Sequence, residues 1–483
     1  MTFKLPAWNR PPQTSRSFGA DESGAVAIIF GLMAFVIFGF TGAGIDTTRW
    51  LQARRVTIDA MEAGALAGLR EYQENGGDKA KAEALALANY RGNTINRMKL
   101  KNDTASFELV DTGARIKMVS KGSAQYLPAF LPLIGVDALP VVKMNGTENP
   151  EAELAVGQNS GTSLEISLML DITGSMNESD GSGSTKLKAM KEASKKLIDI
   201  VIWEDQSKYT SRIALVPFSE GVNLGDSRAA LVRIANPPSS TKVKDQNNKD
   251  KTWKLTPNCV VERTDANKYT DESYANSKFV PLYTTSAFCP TAASPIMPLD
   301  SDKTALKKSI DAYEGSGLTA GHIGTAWAWY TLSPNFNALW GNAKHNARGY
   351  SDLSATNDKG HPSLAKYAVL MTDGAYNTQY CNSTSGNLKY IGMPDKNSQH
   401  SNRANCTSPN GSSNSQALAL CTEMKKKGIT VFTVGFRVGT SEKNLLKSCA
   451  SAPEKYYDAK DGNALTAAFT DIAYKFVPPF VSH

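Results

Sequence analysis

The 483-residue sequence predicts an α/β protein with a doubly wound, mostly parallel central sheet, preceded by one membrane-spanning helix and a small α+β module. Three observations predict this class. An uncharged apolar run lies near the N-terminus, short alternating segments follow it, and from Ser163 onward long apolar strands alternate with amphipathic helices. The hydrophobic content of 41% and the charged content of 20% are typical of a globular protein.

The membrane span is predicted at residues 24–45, which read GAVAIIFGLMAFVIFGFTGAGI. A helix of this length crosses a hydrocarbon core of about 30 Å, whereas a cleaved secretory signal usually has an apolar region of only about 7–15 residues. The flanking basic residues do not determine its orientation, because three precede the span and three follow it closely. They are Lys4, Arg10 and Arg16 before the span, and Arg49, Arg54 and Arg55 after it.

All six cysteines lie in the second half of the chain, and none forms a C-x-x-C pair. This spacing disfavours a zinc ribbon and favours disulfides formed in an oxidising compartment, although buried free thiols in a cytoplasmic protein are the alternative. Many pairings are open, and closeness in the sequence favours Cys259–Cys289, Cys381–Cys406 and Cys421–Cys449. Disulfides would place the large C-terminal part outside the cytoplasm and leave residues 1–23 as a cytoplasmic tail.

Residues 46–150 are predicted to form a stalk helix and a small α+β module. Apolar residues recur at helical spacing directly after the span, at Leu51, Ile58, Met61, Ala65 and Leu69. A second helical run follows the Asn75–Gly77 break, and two alternating segments, TASFELV and ARIKMVS, joined by Asp111–Gly113, predict a hairpin. After the β-prone piece LPVVKMNGT, residues 151–162 are expected to be a polar linker.

Residues 163–483 are predicted to be the α/β domain. Its strands are expected at LEISLMLD, SRIALVPF, KYAVLMTD, ITVFTVGF and KYYDAK. Its helices are expected at about 185–202, 302–313, 319–332, 414–427, 441–449 and 462–475. Insertions rich in polar residues are expected at about 220–300, 333–363 and 375–412, where segments of such length are either disordered or functional.

Several conspicuous residues are interpreted as structural rather than functional. His322 is expected to pack or cap a helix. The Trp327, Trp329 and Tyr330 cluster is expected to pack in the core and at its rim, with an exposed contact patch as the alternative. The lysines of the first α/β helix are expected to form a solvated face, with binding of an acidic polymer as the alternative: Lys186, Lys188, Lys191, Lys195 and Lys196. The net charge of +7 is modest for this length and predicts no nucleic-acid partner.

Five oxygen-bearing side chains form a candidate metal site. Asp171, Thr173 and Ser175 alternate at the end of the first strand, Thr319 lies in the Gly-rich segment SGLTAG, and Asp373 ends the strand VLMTD. Because ligands bind beyond the carboxyl ends of strands in an open parallel sheet, these residues are expected to converge on one point. An all-oxygen shell suits Mg²⁺, with Mn²⁺ or Ca²⁺ as alternatives.

The strings DITGS and MTDG, with a threonine in a Gly-rich loop, resemble the metal-ion-dependent adhesion site (MIDAS) of von Willebrand factor A (VWA) domains, over about residues 163–475. The resemblance implies a Rossmann-like fold in which Thr173, Ser175 and Thr319 contact the metal directly, while Asp171 and Asp373 act largely through water. It also implies an open metal position that a partner carboxylate fills. Thr173 stands where serine is more common, which keeps the hydroxyl and adds a methyl group.

The N-terminal segment SGAVAIIFGLMAFVIFGFTGAGIDTTRWLQARR resembles the TadE/TadG-like proteins of bacterial tight-adherence (Flp-type) pilus assembly, and GHIGTAWAWYTLSP resembles the TadG-like group. The resemblance implies a single-pass protein of the bacterial inner membrane, with its C-terminal domain in the periplasm or at the cell surface. The implied partner is a pilus or secretion component, or a surface ligand, that presents an acidic residue.

Two functions follow as hypotheses. The first is a non-enzymatic assembly or adhesion component whose cation binds a partner carboxylate. The alternative is a metal-dependent hydrolase acting on phosphate or cell-wall material through Asp171, which would need a nearby general base or nucleophile. No P-loop, G-x-S-x-G or paired-carboxylate signature supplies one, so the sequence favours the binding function.

Overall fold

The computed structural model describes residues 23–74, 78–94, 100–111, 115–142, 151–155, 162–285, 289–356, 362–385, 388–476 and 480–482. Most of the expected cytoplasmic tail, the Asn75–Gly77 break and the centre of the hairpin turn lie outside these residues. The described residues form an N-terminal part built on one long helix and a C-terminal α/β part.

The secondary structure follows the chain in this order. The N-terminal part comprises α1 (Ser23–Glu74), α2 (Lys79–Thr94), β1 (Leu100–Lys101), β2 (Ser106–Asp111), β3 (Arg115–Lys121), β4 (Ala124–Tyr126), β5 (Leu139–Val142) and β6 (Glu151–Ala155). The strands of the C-terminal part are β7 (Ser163–Asp171), β8 (Ser211–Phe218), β9 (Val222–Asn223), β10 (Ser240–Lys244), β11 (Asp250–Val260), β12 (Pro281–Thr284), β13 (Met297–Asp300), β14 (Leu364–Thr372), β15 (Tyr380–Ser385), β16 (Leu388–Pro394), β17 (Thr430–Phe436), β18 (Tyr456–Ala459) and β19 (Phe480–Ser482). Its helices are α3 (Lys186–Val201), α4 (Asp226–Val232), α5 (Lys303–Asp311), α6 (Gly321–Tyr330), α7 (Asn337–Trp340), α8 (Ser413–Lys426), α9 (Thr440–Cys449) and α10 (Gly462–Lys475).

The expected span and stalk form one continuous helix, α1, of 52 residues. Its large apolar side chains from Val26 to Phe40 are exposed, and by length and composition the helix is able to cross a membrane. The second half packs against α2, and Gly68 allows the close approach, because a Cβ there would lie 2.7 Å from the Ala82 carbonyl oxygen. The buried positions of this half recur at helical spacing: Ala53, Ala60, Met61, Ala65 and Leu69.

The predicted hairpin is present, because β2 and β3 pair in antiparallel register. The segment expected to be a linker differs from the prediction, since it begins with β6. Strand β6 pairs with β3, and β19 near the C-terminus pairs with β6 in turn. A free strand edge presents unpaired N–H and C=O groups. The short strand β6 pairs with such groups of β3, and the short strand β19 pairs with those of β6.

The C-terminal part is the expected α/β fold, with a six-stranded sheet in the order β13-β8-β7-β14-β17-β18. All neighbours are parallel except β13, a four-residue antiparallel edge strand that is absent from the predicted strands. Strand β7 has β8 on one side and β14 on the other, so the strand order reverses between β7 and β14. This reversal is the topological switch point at which open α/β sheets bind ligands.

Alternate residues of the central strands enter two apolar cores, one on each face of the sheet. Ile166 and Leu168 of β7 pack with Leu197 of α3 and Phe469 of α10. Met169, one residue along β7, faces the opposite core, which also contains Trp327 and Leu420. Burial on both faces explains why these strands read as continuous apolar runs in the sequence.

The described residues of the insertions around 220–300 and 375–412 contribute strands to a second sheet, which was not among the predicted elements. Its strand order is β10-β11-β12-β16-β15, with β9 paired to β11. The parallel contact between β12 and β16 joins the two insertions. The predicted disulfides are confirmed: Cys259–Cys289, Cys381–Cys406 and Cys421–Cys449.

Candidate metal centre

The two carboxylates of the predicted site lie side by side at the switch point. Asp171 is the last residue of β7, and Asp373 comes directly after β14. These strands pair in parallel register as far as Met169 and Leu370, so both carboxylates leave the same edge of the sheet.

Asp171 is completely buried and is held by three donors. The Thr173 N–H donates to its Oδ1 at 2.9 Å, while the Thr372 hydroxyl, at 2.7 Å, and the Asp373 N–H, at 3.4 Å, donate to its Oδ2. Burial, followed by the negative charge of Asp373, raises the pKa of Asp171 to about 7. A positive charge at this edge would favour the ionised form of Asp171.

A chain of hydrogen bonds joins the hydroxyls to the second carboxylate. Thr173 Oγ1 and Ser175 Oγ are 3.0 Å apart, and Ser175 Oγ donates to Asp373 Oδ1 at 2.7 Å. Adjacent oxygens of an octahedral Mg²⁺ shell with bonds of 2.0–2.1 Å lie about 2.9 Å apart. The Thr173 and Ser175 hydroxyl oxygens therefore have the spacing of adjacent ligands in such a shell, and the half-exposed Ser175 lies next to the exposed Gly174.

The loop that carries Thr319 contacts the Asp171 turn at Gly317, and within the described residues no hydrogen bond joins Thr319 to the other four predicted ligands. The helix expected at 319–332 begins at Gly321, so Thr319 precedes it and lies in the loop. The Gly174 N–H donates to the Gly317 carbonyl oxygen at 2.9 Å, which ties the loop to the Asp171 turn. On its other side, the Thr319 N–H donates to Asn377 Oδ1 at 2.9 Å, and the Asn377 N–H donates to the Thr319 carbonyl oxygen at 3.0 Å.

The prediction that Lys186 belongs to a solvated face is wrong. Lys186 is only 6% exposed, and its Nζ lies 2.9 Å from Asp373 Oδ2 and 3.0 Å from Glu178 Oε2. Burial disfavours its charge, but the hydrogen bonds and attraction of Asp373 and Glu178 outweigh burial and raise the pKa of Lys186. Its position four residues before the inward-facing Met190 is a signal that helical periodicity could have detected.

The interpretation of His322 as a packing residue agrees with its surroundings. Its Nδ1 lies 2.6 Å from Ser413 Oγ, and its Nε2 lies 2.8 Å from Glu262 Oε1. Ser413 is fully buried, and Glu262 also accepts hydrogen bonds from the Tyr380 N–H and from the Asn410 side chain. A nucleophile needs access to substrate, so this cluster is a structural network within the second core.

Among the described residues, no group of three or more His, Cys, Asp and Glu side chains could hold a metal ion. The candidate centre differs from such a group because three of its five side chains are hydroxyls. Neutral hydroxyls with two carboxylates suit a hard divalent cation and not a soft one.

No protein-family model matches the sequence, and no match was found among curated proteins. Among solved structures, the chain is similar to the pilus adhesin SpaC from Lactobacillus rhamnosus GG, with 11% identity and a TM-score of 0.35 over 78% of this chain and 35% of that chain. It is also similar to the vWF domain of the type V pili tip protein Mfa5 from Porphyromonas gingivalis, with 13% identity and a TM-score of 0.35 over 65% of this chain and 95% of that chain.

A further similar structure is proximal thread matrix protein 1 from the mussel byssus, with a zinc-occupied MIDAS motif. It has 13% identity and a TM-score of 0.30 over 65% of this chain and 47% of that chain. The chain thus spans about a third of the length of SpaC and about half of the byssus protein. Similarity at this level identifies neither an activity nor a ligand for this chain.

Proposed function

We propose that the chain is a membrane-anchored, extracytoplasmic VWA protein of Flp-type (tight-adherence) pilus assembly, whose divalent cation binds a carboxylate of a protein partner. In this proposal α1 anchors it in the bacterial inner membrane, and the α/β part lies in the periplasm or at the cell surface. The observation that carries the proposal is the hydrogen-bonded group of Asp171, Thr173, Ser175 and Asp373 at the switch point.

The donor set explains why such a site would bind a partner rather than catalyse a reaction. Thr173, Ser175 and Thr319 would hold the cation through neutral hydroxyls, and Asp171 and Asp373 would orient its water ligands. A bound cation would supply a position for an external anion, because neutral ligands leave most of its charge uncompensated. Lys186 already neutralises part of the charge of Asp373, so a partner carboxylate would complete the charge balance.

The disulfides and the apolar helix support the proposed location. Cysteine pairing is typical of an oxidising compartment, and the exposed first half of α1 needs an apolar environment. The assignment to pilus assembly rests on the sequence resemblance of the N-terminal segment and of GHIGTAWAWYTLSP to TadG-like proteins.

Thermal unfolding of the full-length protein in detergent, with EDTA or with increasing Mg²⁺, Mn²⁺ or Ca²⁺, tests the site. We expect the cation to stabilise the wild type and not the Ser175→Ala or Thr319→Ala variants. The matched control is Ser179→Ala, which removes an exposed hydroxyl near the site and should keep the response. Equal cation responses in all four proteins would refute the proposed centre.

A second measurement separates binding from hydrolysis. A peptide that carries one glutamate should bind the wild type in Mg²⁺ and lose binding in EDTA, whereas the matching glutamine peptide should not bind. Mg²⁺-dependent hydrolysis of a phosphate ester that disappears in Asp171→Asn and persists in Thr319→Ala would instead favour the hydrolase.

A further inference from the structure

An uncharged loop at residues 127–135, LPAFLPLIG, presents an apolar surface beside the end of the predicted span. We call it the apolar loop. Its Leu133 and Ile134 side chains are 73% and 67% exposed, and Leu127 and Phe130 are also exposed. Among the described residues from 162 onward, Leu231 is the single large apolar side chain with comparable exposure, at 54%. A cluster of this kind marks an interaction surface.

The apolar loop is fixed to α1 at the residue that follows the predicted span. The Asp46 carboxylate accepts hydrogen bonds from the main-chain N–H groups of Ala129, Phe130 and Leu131, at 2.9, 2.6 and 2.8 Å. A carboxylate at the edge of a hydrocarbon layer is costly unless it is paired. The three main-chain N–H donors compensate the charge of the Asp46 carboxylate. In turn, Asp46 accepts hydrogen bonds from N–H groups that would otherwise face lipid.

Phe130 sets the height of the apolar loop along α1. Its ring lies against Gly42, where an added Cβ would be only 2.7 Å from the ring. Gly42 precedes Asp46 by four residues, which is about 6 Å along a helix axis. The ring therefore contacts the last turn of the predicted span, at the depth of about 5–10 Å that interfacial apolar segments reach.

Two further features are consistent with a position of the apolar loop at the membrane interface. Gly135, with φ of 84°, turns the chain back after Ile134, so the exposed side chains lie at the tip of a short excursion. Trp50, one turn after Asp46, donates from Nε1 to the Pro140 carbonyl oxygen at 2.9 Å, and tryptophan is enriched at membrane–water interfaces.

We propose that the apolar loop inserts Phe130, Leu133 and Ile134 into the extracytoplasmic leaflet of the membrane that α1 spans. This inference rests on the anchoring part of the proposed function and adds a second attachment point. Lipid is the favoured occupant because the surface is continuous with the span and carries no charge. Two attachments would restrict rotation of α1 and hold the stalk at a defined angle to the membrane.

Fluorescence quenching in proteoliposomes of the full-length protein tests the insertion. Leu133→Cys is labelled with an environment-sensitive fluorophore, and the six native cysteines are protected as disulfides. Phosphatidylcholine with a nitroxide near its headgroup should abolish most of the Leu133→Cys signal. The matched control, Leu231→Cys, replaces an exposed leucine of the α/β part and should keep its signal.

A third variant, Phe35→Cys, distinguishes a loop that does not insert into the membrane from a helix α1 that does not span it. Phe35 lies mid-span, so lipid with a mid-chain nitroxide should quench its label. Quenching at Phe35→Cys without quenching at Leu133→Cys overturns the insertion and leaves the anchor intact. No quenching at either position overturns the anchor and the insertion together. Shielding of Leu133→Cys that persists in detergent would assign the loop to a protein contact and also overturn the insertion.

Discussion

Strands β7 and β14 carry a buried charge cluster at each end, and the two clusters differ in charge balance. Near the start of the strands, Glu165 lies opposite Lys366 in register and pairs with both Lys366 and Arg212. At the carboxyl end, Asp171 and Asp373 lie together, and Lys186 pairs with Asp373. Apart from the exposed Glu178, which also pairs with Lys186, the first cluster has one carboxylate for two cations, and the second has two carboxylates for one cation.

This difference separates a structural cluster from a site that can accept a cation. At the Glu165 end, Lys366 also donates to the Leu332 carbonyl oxygen at 2.9 Å, and the Arg348 N–H donates to Glu165 at 3.0 Å. Burial lowers the pKa of Lys366, and the adjacent Glu165 opposes that effect. At the Asp171 end, hydroxyl groups lie beside the two carboxylates where the Glu165 end has a second cation. This end also reaches solvent, so a divalent cation could supply the missing positive charge.

Removing the charge of Glu165 should have the largest effect on the free energy of unfolding. Glu165→Ala leaves the buried Lys366 without its carboxylate, and breaking such a pair costs about 3–5 kcal/mol of unfolding free energy. Chemical denaturation should show this loss equally in EDTA and in Mg²⁺. Asp199→Ala, which breaks the exposed pair with Lys307, is the control and should cost at most about 1 kcal/mol. A loss that Mg²⁺ reverses would contradict the assignment of this end as purely structural.

Asp171→Asn should abolish stabilisation by the cation. The wild type should gain about 2.7 kcal/mol of unfolding free energy when free Mg²⁺ is about a hundred times the dissociation constant. The asparagine keeps the size of the side chain but removes the charge, so the variant should gain nothing. Denaturation curves with and without Mg²⁺ measure the difference. A full gain in the variant would show that Asp171 does not contribute to cation binding.

Lys186→Met should tighten cation binding, because the Lys186 ammonium and a divalent cation compete for the charge of Asp373. We expect about a tenfold lower dissociation constant, which corresponds to about 1.4 kcal/mol. Calorimetric titration with Mn²⁺ measures it, with the exposed Lys188→Met as control. Weaker binding in Lys186→Met would mean that the lysine serves mainly to position Asp373.

The pH dependence without cation has a definite sign and, over a single pH unit, is the smallest of these effects. The folded state keeps the Asp171 proton up to about pH 7, whereas an ordinary aspartate loses it near 3.8. The wild type should therefore lose stability relative to Asp171→Asn as the pH rises through this interval, by roughly 1 kcal/mol per pH unit just below about 7. Unfolding in EDTA across this range measures the difference. A constant difference would mean that the pKa of Asp171 is not raised.

The sequence was sufficient to predict those elements whose structure depends on a local residue pattern. Uninterrupted apolar runs predicted the central strands β7, β8, β14 and β17, because burial on both faces removes alternation. The hairpin of β2 and β3 and the pairing of neighbouring cysteines also follow from short-range features. The grouping of Asp171, Thr173, Ser175 and Asp373 was predictable because the carboxyl ends of adjacent parallel strands meet at one edge.

Contacts between distant segments were not predictable in the same way. The short strands β13, β6 and β19 carry little pattern of their own, and each exists because a neighbouring strand offers a free edge. The sheet that joins β12 to β16 depends on two insertions meeting in space.

The sequence by itself determined the α/β class, the apolar helix and the candidate oxygen ligands, since periodicity and residue chemistry act over short distances. Only the tertiary structure decided which charges meet. Lys186 lies against Asp373, and Asp46 caps the apolar loop, because chain segments 187 and about 84 residues apart pack together. The strength of a charge interaction depends on distance and burial, and folding alone sets both.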